Sequence, residues 1–169
     1  MSPAPLARSV RLAVALALAL GMAACAKTPA EEGGNLAGAG AGVAAPGSAQ
    51  DFVVNVGDRV FFDSDSTELT ATGQATLDKQ AAWLQRYGRT AFTVEGHADE
   101  RGTREYNFAL GARRGETTKD YLVAKGISGA RIKTISYGKE RPVAVCNDIS
   151  CWSQNRRAVT VLNGSAGNS

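Results

Sequence analysis

Residues 96–114, GHADERGTREYNFALGARR, join a strand end to a helix start and set opposite charges where packing asks for apolar groups. Along the helix the stripe Leu110, Arg114, Thr117, Tyr121 recurs at i, i+4, i+7 and i+11, which places Arg114 on the face turned inward. A guanidinium buried alone costs several kcal/mol, so Arg114 needs a carboxylate, and Asp99 in the loop feeding the helix is the nearest candidate in sequence. Two arrangements fit that spacing. One is a structural salt bridge. The other is an Asp/Arg pair left partly open for a zwitterionic ligand, the planar fork of Arg gripping a carboxylate and Asp taking an ammonium.

Outward from this stretch, residues 59–62 (RVFF) read as a first strand, cut off by the turn-prone DSDS at 63–66. A helix follows with Thr70 as N-cap, with Leu77, Ala81 and Leu84 on one face, Trp83 beside it, and Gly88 as its stop. Residues 90–95 alternate around Phe92 and Val94 as a second strand. A second helix runs from Thr103 to Gly126, residues 132–137 form a third strand, and residues 157–162 form a fourth after an irregular stretch at 146–154. The order is β-α-β-α-β-β, an α+β two-layer sandwich with two main helices packed on one face of a mixed four-stranded sheet.

The N-terminal part is organised differently. Arg8 and Arg11 precede LAVALALALGMAA at 12–24, an uncharged run only about half the length a membrane span needs, so residues 1–24 read as an export signal. The signal closes on Met22-Ala23-Ala24-Cys25, which resembles a lipobox with Cys25 as the acylated N-terminus; Ala26, where an Asp marks inner-membrane retention, points to the outer membrane. Losing Arg8 and Arg11 takes 19 Lys and Arg down to 17 against 16 Asp and Glu, so the mature chain is near neutral and a nucleic-acid partner loses its support. Residues 25–51, rich in Ala, Gly, Pro and Ser, read as a lipidated cysteine and flexible tether, 52–164 as one folded domain, and 165–169 as a disordered tail.

Cys146 and Cys151 enclose NDIS, and export puts them in an oxidising compartment, so they read as a local disulfide. Their spacing is not C-x-x-C, which argues against redox catalysis. His97 is the one histidine; with Asp99 and Glu100 it lacks the spacing of a helical metal site, and no nucleophile elbow accompanies it. Its expected role is a ring hydrogen bond fixing its loop. No catalytic residue, cofactor or metal is called for, although an enzyme such as an amidase built on His97, Asp99 and Glu100 stands as the competing reading. Lys139, Arg141, Arg156 and Arg157 read as solvated charge.

GHADERGTREYN, the spacing Asn107-x-x-Leu110-x-x-x-Arg114, SYGKERP at 136–142 and NRRAV at 155–159 together resemble the peptidoglycan-associated lipoproteins of Tol-Pal systems, whose domain is of the outer-membrane protein A-like C-terminal type. The resemblance covers residues 60–162. It implies non-covalent binding of peptidoglycan through the diaminopimelate of the stem peptide and binding of TolB and other Tol-Pal components. It implies an outer-membrane location, the domain facing the periplasm on its lipid anchor. By position, Asp99 and Arg114 fall on the family's diaminopimelate-binding pair, Ser64 and Asp65 on its second binding segment, and Asn107 and Leu110 on further pocket positions. Glu100, Arg104 and Tyr106, crowded at the loop-to-helix junction, are the expected TolB-facing surface.

Overall fold

The computed structural model describes residues 44–87 and 91–164. The expected signal, Cys25, most of the tether, the Gly88 stop and the tail lie outside those residues. The described chain opens with a helical turn, Ala49–Asp51, capped by the Ser48 hydroxyl, and continues as a π-helical stretch, Phe52–Val56. Phe52 is buried edge-on against Trp83, and Asp51 accepts the Trp83 indole N–H at 2.8 Å. Core contacts therefore begin ahead of the boundary read at 52.

The elements that follow are β1 (Arg59–Phe61), α1 (Ala71–Arg86), β2 (Phe92–His97), α2 (Arg104–Ala124), β3 (Ile132–Gly138), α3 (Ile149–Asn155) and β4 (Arg157–Leu162). α1 starts where Thr70 Oγ1 accepts the Gly73 amide at 3.1 Å, and it buries Leu77, Ala81 and Leu84 as their spacing dictates. The sheet order is β1-β4-β2-β3, with β2 and β3 parallel and β4 antiparallel to both β1 and β2. The parallel pair is joined through α2, the crossover such a pair requires. Val60, Phe62, Leu77, Leu84, Phe92, Val94, Leu122 and Ile127 form the core between helices and sheet.

Two features depart from the sequence reading. The stretch at 146–154 is not irregular: Asp148 caps α3 by accepting the Ser150 amide at 2.8 Å, and the helix packs Cys151 and Asn155 inward. Nor does the buried face of α2 pass through Thr117 and Tyr121, which are half-buried; it passes through Asn107, Leu110, Gly111, Arg114, Gly115, Thr118 and Leu122. Glycine decides this. A Cβ on Gly96 of β2 would lie 1.8 Å from the Gly111 carbonyl oxygen, and one on Gly111 would lie 2.5 Å from Ser136 Oγ. Backbone thus sits directly on backbone where α2 crosses β2, and the helix turns its small residues, not its most apolar ones, toward the sheet.

Candidate ligand-binding site

Close seating of α2 on β2 brings its N-terminal half under the loops that leave β1 and β2. β2 ends in a register shift between Gly96 and His97, where the Ala98 amide donates to Gly138 O at 2.8 Å, and the chain then turns to present Asp99. Thr103 caps α2 by accepting the Tyr106 amide at 3.2 Å. From there Asn107, Leu110 and Arg114 succeed one another along one face. On the other side, the loop after β1 carries Asp65 at φ 56°, the one non-glycine residue with positive φ among the described residues. Short polar residues tolerate that conformation best, and it sets the Asp65 carboxylate where the Tyr106 hydroxyl donates to it.

Ser64, Asp65, Asp99, Asn107, Leu110 and Arg114 all line one cavity of about 240 Å³, joined by Arg101, Gly102 and Tyr106. A larger depression of about 650 Å³ lies where Arg104, Glu105 and Phe108 meet Ser136, Tyr137, Gly138 and Glu140. It shares no residue with the first, and its two pairable charges, Arg104 and Glu140, sit 3.0 Å apart at the exposed rim.

The expected Asp99–Arg114 pair does not form. Arg114 is fully buried and uses its fork on main-chain carbonyls: Nε donates to Ser66 O at 2.9 Å, Nη1 to His97 O at 2.9 Å and Nη2 to Asp63 O at 3.0 Å. These three acceptors solvate the cation in place of a counter-ion. Burial, with the nearby Arg156 charge, lowers the Arg114 pKa to about 10, opposed by the fields of Asp99 and Asp65, so it stays charged at neutral pH. Asp99 pairs instead with Arg101 at 2.7 Å and with the buried Arg156 at 3.2 Å. Burial alone would raise its carboxyl; hydrogen bonds from the Arg101 side chain and amide and from Arg156 outweigh that and hold it below the ordinary carboxylate value.

His97 also departs from expectation. Its ring is buried with neither nitrogen hydrogen-bonded, Nε2 lying 3.7 Å from Glu95, and it fixes its loop through the carbonyl that Arg114 holds. Burial, reinforced by Arg157, Arg141 and Arg59, lowers its pKa to about 4. Of the expected partner residues, Glu100 accepts the Trp152 indole N–H, Arg104 pairs with Glu140, and Tyr106 is part of the cavity rim. Cys146 and Cys151 are disulfide-bonded with their Cα atoms 5.6 Å apart. Among the described residues, no group of three or more His, Cys, Asp and Glu side chains could hold a metal ion, and no helix is long and apolar enough to cross a membrane.

Arg156 and Arg157 are not the solvated charges they resemble in sequence; both are buried. Arg156 was visible in the period of β4, because it shares an inward parity with Ala158, Thr160 and Leu162. Arg101 and Trp152, which meet at the cavity edge with the guanidinium 4.2 Å from the ring, carry no such signal, since 50 residues separate them.

The OmpA family model matches residues 61–156. The chain is 64% identical over 153 residues to the peptidoglycan-associated lipoprotein of Rhizobium meliloti (strain 1021), covering 89% of this chain and 86% of that protein. It is 61% identical over 155 residues to the protein of the same name from Brucella melitensis biotype 1, covering 90% and 92%. Among solved structures, the peptidoglycan-associated lipoprotein from Burkholderia pseudomallei matches with TM-score 0.60 at 40% identity, covering 62% of this chain and 89% of that one. The C-terminal domain of Helicobacter pylori MotB shares the fold, with TM-score 0.60 at 20% identity and coverage of 64% and 86%.

Proposed function

Because this chain belongs to the OmpA family, and within it to the peptidoglycan-associated lipoproteins, we propose that the cavity between Asp99 and Arg114 binds peptidoglycan non-covalently through stem-peptide diaminopimelate. The distal carbon of diaminopimelate bears one ammonium and one carboxylate. The observation that carries the reading is a guanidinium and two carboxylates, Arg114, Asp99 and Asp65, on the walls of a single small cavity. Three bonds to carbonyls leave Arg114 one N–H on each Nη for a ligand carboxylate. Ser64 and Asn107 supply neutral polar edges, and Leu110 gives an apolar contact for the methylene chain. The module holds its ligand and needs no turnover. Cys25 carries lipid that anchors it in the outer membrane, the domain faces the periplasm, and the protein links that membrane to the wall within a Tol-Pal system, supporting envelope integrity and constriction at division. Glu100, Arg104 and Tyr106 form the surface for TolB, so that TolB and the wall meet at one rim.

Full-length protein mixed with diaminopimelate-containing sacculi should sediment with them and release no soluble fragments. Asp99→Asn should lose that retention. A folded Asp99→Asn that sediments like the unmodified protein would remove the site from this account, and released fragments would favour the amidase reading. Replacing Glu100 and Tyr106 together by Ala should weaken TolB capture; unaltered capture would discard the patch.

A further inference from the structure

In this conformation the Asp99 carboxylate has no acceptor site to spare. Oδ1 accepts the Arg101 amide and Arg101 Nε, each at 3.2 Å, while Oδ2 accepts Arg101 Nη2 at 2.7 Å and Arg156 Nη1 at 3.2 Å. Four donors fill the roughly four lone-pair positions of a carboxylate, so an incoming ammonium has to displace one of them. Two are fixed. The Arg101 main chain is held by Asn107, whose Nδ2 donates to Arg101 O at 2.6 Å, and Arg156 is buried with its Nε on Phe62 O at 3.0 Å. The Arg101 side chain is the movable donor, because 42% of it is exposed. It also crosses the cavity, Nη2 donating to Ser64 Oγ at 2.8 Å. Arg114 lines this cavity yet has no area open to water, so a ligand carboxylate too must wait for a rim group to move.

A second contact holds the Arg101 side chain closed. Its guanidinium stacks over the Trp152 ring, and Trp152 is fixed in turn by its indole N–H on Glu100 and by its place in α3, beside Cys151 and the disulfide to Cys146. Resting on the reading of the cavity as a diaminopimelate site, we propose that Arg101 is an internal competitor for the ligand ammonium: its guanidinium occupies Asp99 in the free protein, and Trp152 on the disulfide-bonded α3 sets how firmly it is held. Arg101 and Trp152 are thus specificity-determining and positioning residues. A ligand with the distal ammonium displaces Arg101 ion for ion, and one without it cannot replace the charge it removes. Apparent affinity is the intrinsic affinity reduced by the fraction of molecules in which Arg101 has left Asp99.

Calorimetric titration of the full chain tests this with two probes: the tripeptide L-Ala-γ-D-Glu-meso-diaminopimelate, and the same tripeptide with hydrogen in place of the distal ammonium. Arg101→Ala should bind the first probe roughly fivefold more tightly, the change expected from freeing a half-exposed ion pair. Trp152→Leu, and the double change Cys146→Ser with Cys151→Ser, should each gain roughly two- to threefold, as loss of a cation–π contact implies. The second probe, which has no ammonium to place on Asp99, should gain less than the first in every variant; equal gains for both probes would show that Arg101 only blocks the cavity and would overturn the competitor. Arg101→Met, which keeps the aliphatic stem, gives the same comparison if Arg101→Ala melts early. If the unmodified protein binds the tripeptide and neither Arg101 variant binds it more tightly, the competitor is overturned and the diaminopimelate reading stands. If neither the unmodified protein nor the variants bind, both fall.

Discussion

Arg114 ties three carbonyls from two segments together, Asp63 and Ser66 in the loop after β1 and His97 at the end of β2. Binding and folding therefore draw on the same side chain, and the choice posed by the sequence between a structural charge and an open one has no single answer. Arg114→Ala should cost about 3 kcal/mol in urea denaturation, since one buried and two part-buried carbonyls lose charge-assisted donors. Arg114→Lys should recover only part of that, because an ammonium cannot reach three acceptors set around a planar fork. A melting curve unchanged in Arg114→Ala would mean that water replaces the guanidinium. His97 adds a pH dependence. Its pKa falls from 6.5 in the unfolded chain to about 4 when folded, so between those values the unfolded state binds more protons. The stability tied to its neutral ring is complete above pH 6.5 and is lost as pH falls toward 4, a difference of about 3 kcal/mol. Asp99, held below its ordinary value of 3.8, loses its contribution only under more acidic conditions. Urea midpoints at pH 7.5 and 4.5 should thus converge in His97→Phe relative to the unmodified chain; an equal loss in both would place the acid sensitivity elsewhere.

Glycine governs the elements. Gly96 and Gly111 let α2 lie on β2, and that crossing delivers Asn107, Leu110 and Arg114 to the cavity. Gly96→Ala should be among the most damaging single changes, because its Cβ would lie 1.8 Å from a main-chain oxygen that cannot step aside. Gly115→Ala is its control, meeting nothing nearer than 3.8 Å in mid-helix, and should stabilise by about 0.5–1 kcal/mol. Chemical denaturation of the two settles whether the close approach is required. The same glycines mark where sequence reading reaches its limit. Strand periods, the Thr70 cap, the start of α2 near Thr103 and the inward Arg114 were legible because apolar spacing and capping are local signals. The true face of α2 was not, since glycine carries no hydropathy and the stripe through Tyr121 looks more apolar than the one that packs. α3 was hidden for a related reason: with seven residues it is too short for periodicity, and its stability comes from the Asp148 cap and the disulfide. The partners of Asp99 were out of reach because Arg156 lies 57 residues away, and neither spacing nor charge balance connects them.

For the whole molecule, a cavity this small positions a wall ligand only if the domain stays near the wall, and the proposed anchor at Cys25 supplies that constraint. Of residues 25–51, read from composition as a tether, those from 44 on belong to the described chain and meet the core; the other nineteen, as a flexible coil, would have an r.m.s. span of roughly 22–26 Å and a fully extended limit of roughly 63–68 Å. Within that range the second attachment becomes intramolecular, with an effective concentration set by the tether. Shortening the tether below the membrane-to-wall distance should therefore abolish simultaneous attachment while leaving the affinity of the purified protein for sacculi unchanged. Cys25→Ser separates anchor from module in the opposite direction. Unacylated, the protein has no lipid to hold it, since a lasting anchor needs two or more chains or a second signal, and no described helix is long and apolar enough to replace one. It should appear in the soluble periplasmic fraction, still retained on sacculi, with melting identical to that of the acylated protein because the change lies in sequence ahead of residues 52–164, read as the folded domain. Membrane retention of Cys25→Ser, or an unmodified Cys25 found by mass spectrometry of membrane-extracted protein, would show that the envelope association runs through something other than lipid.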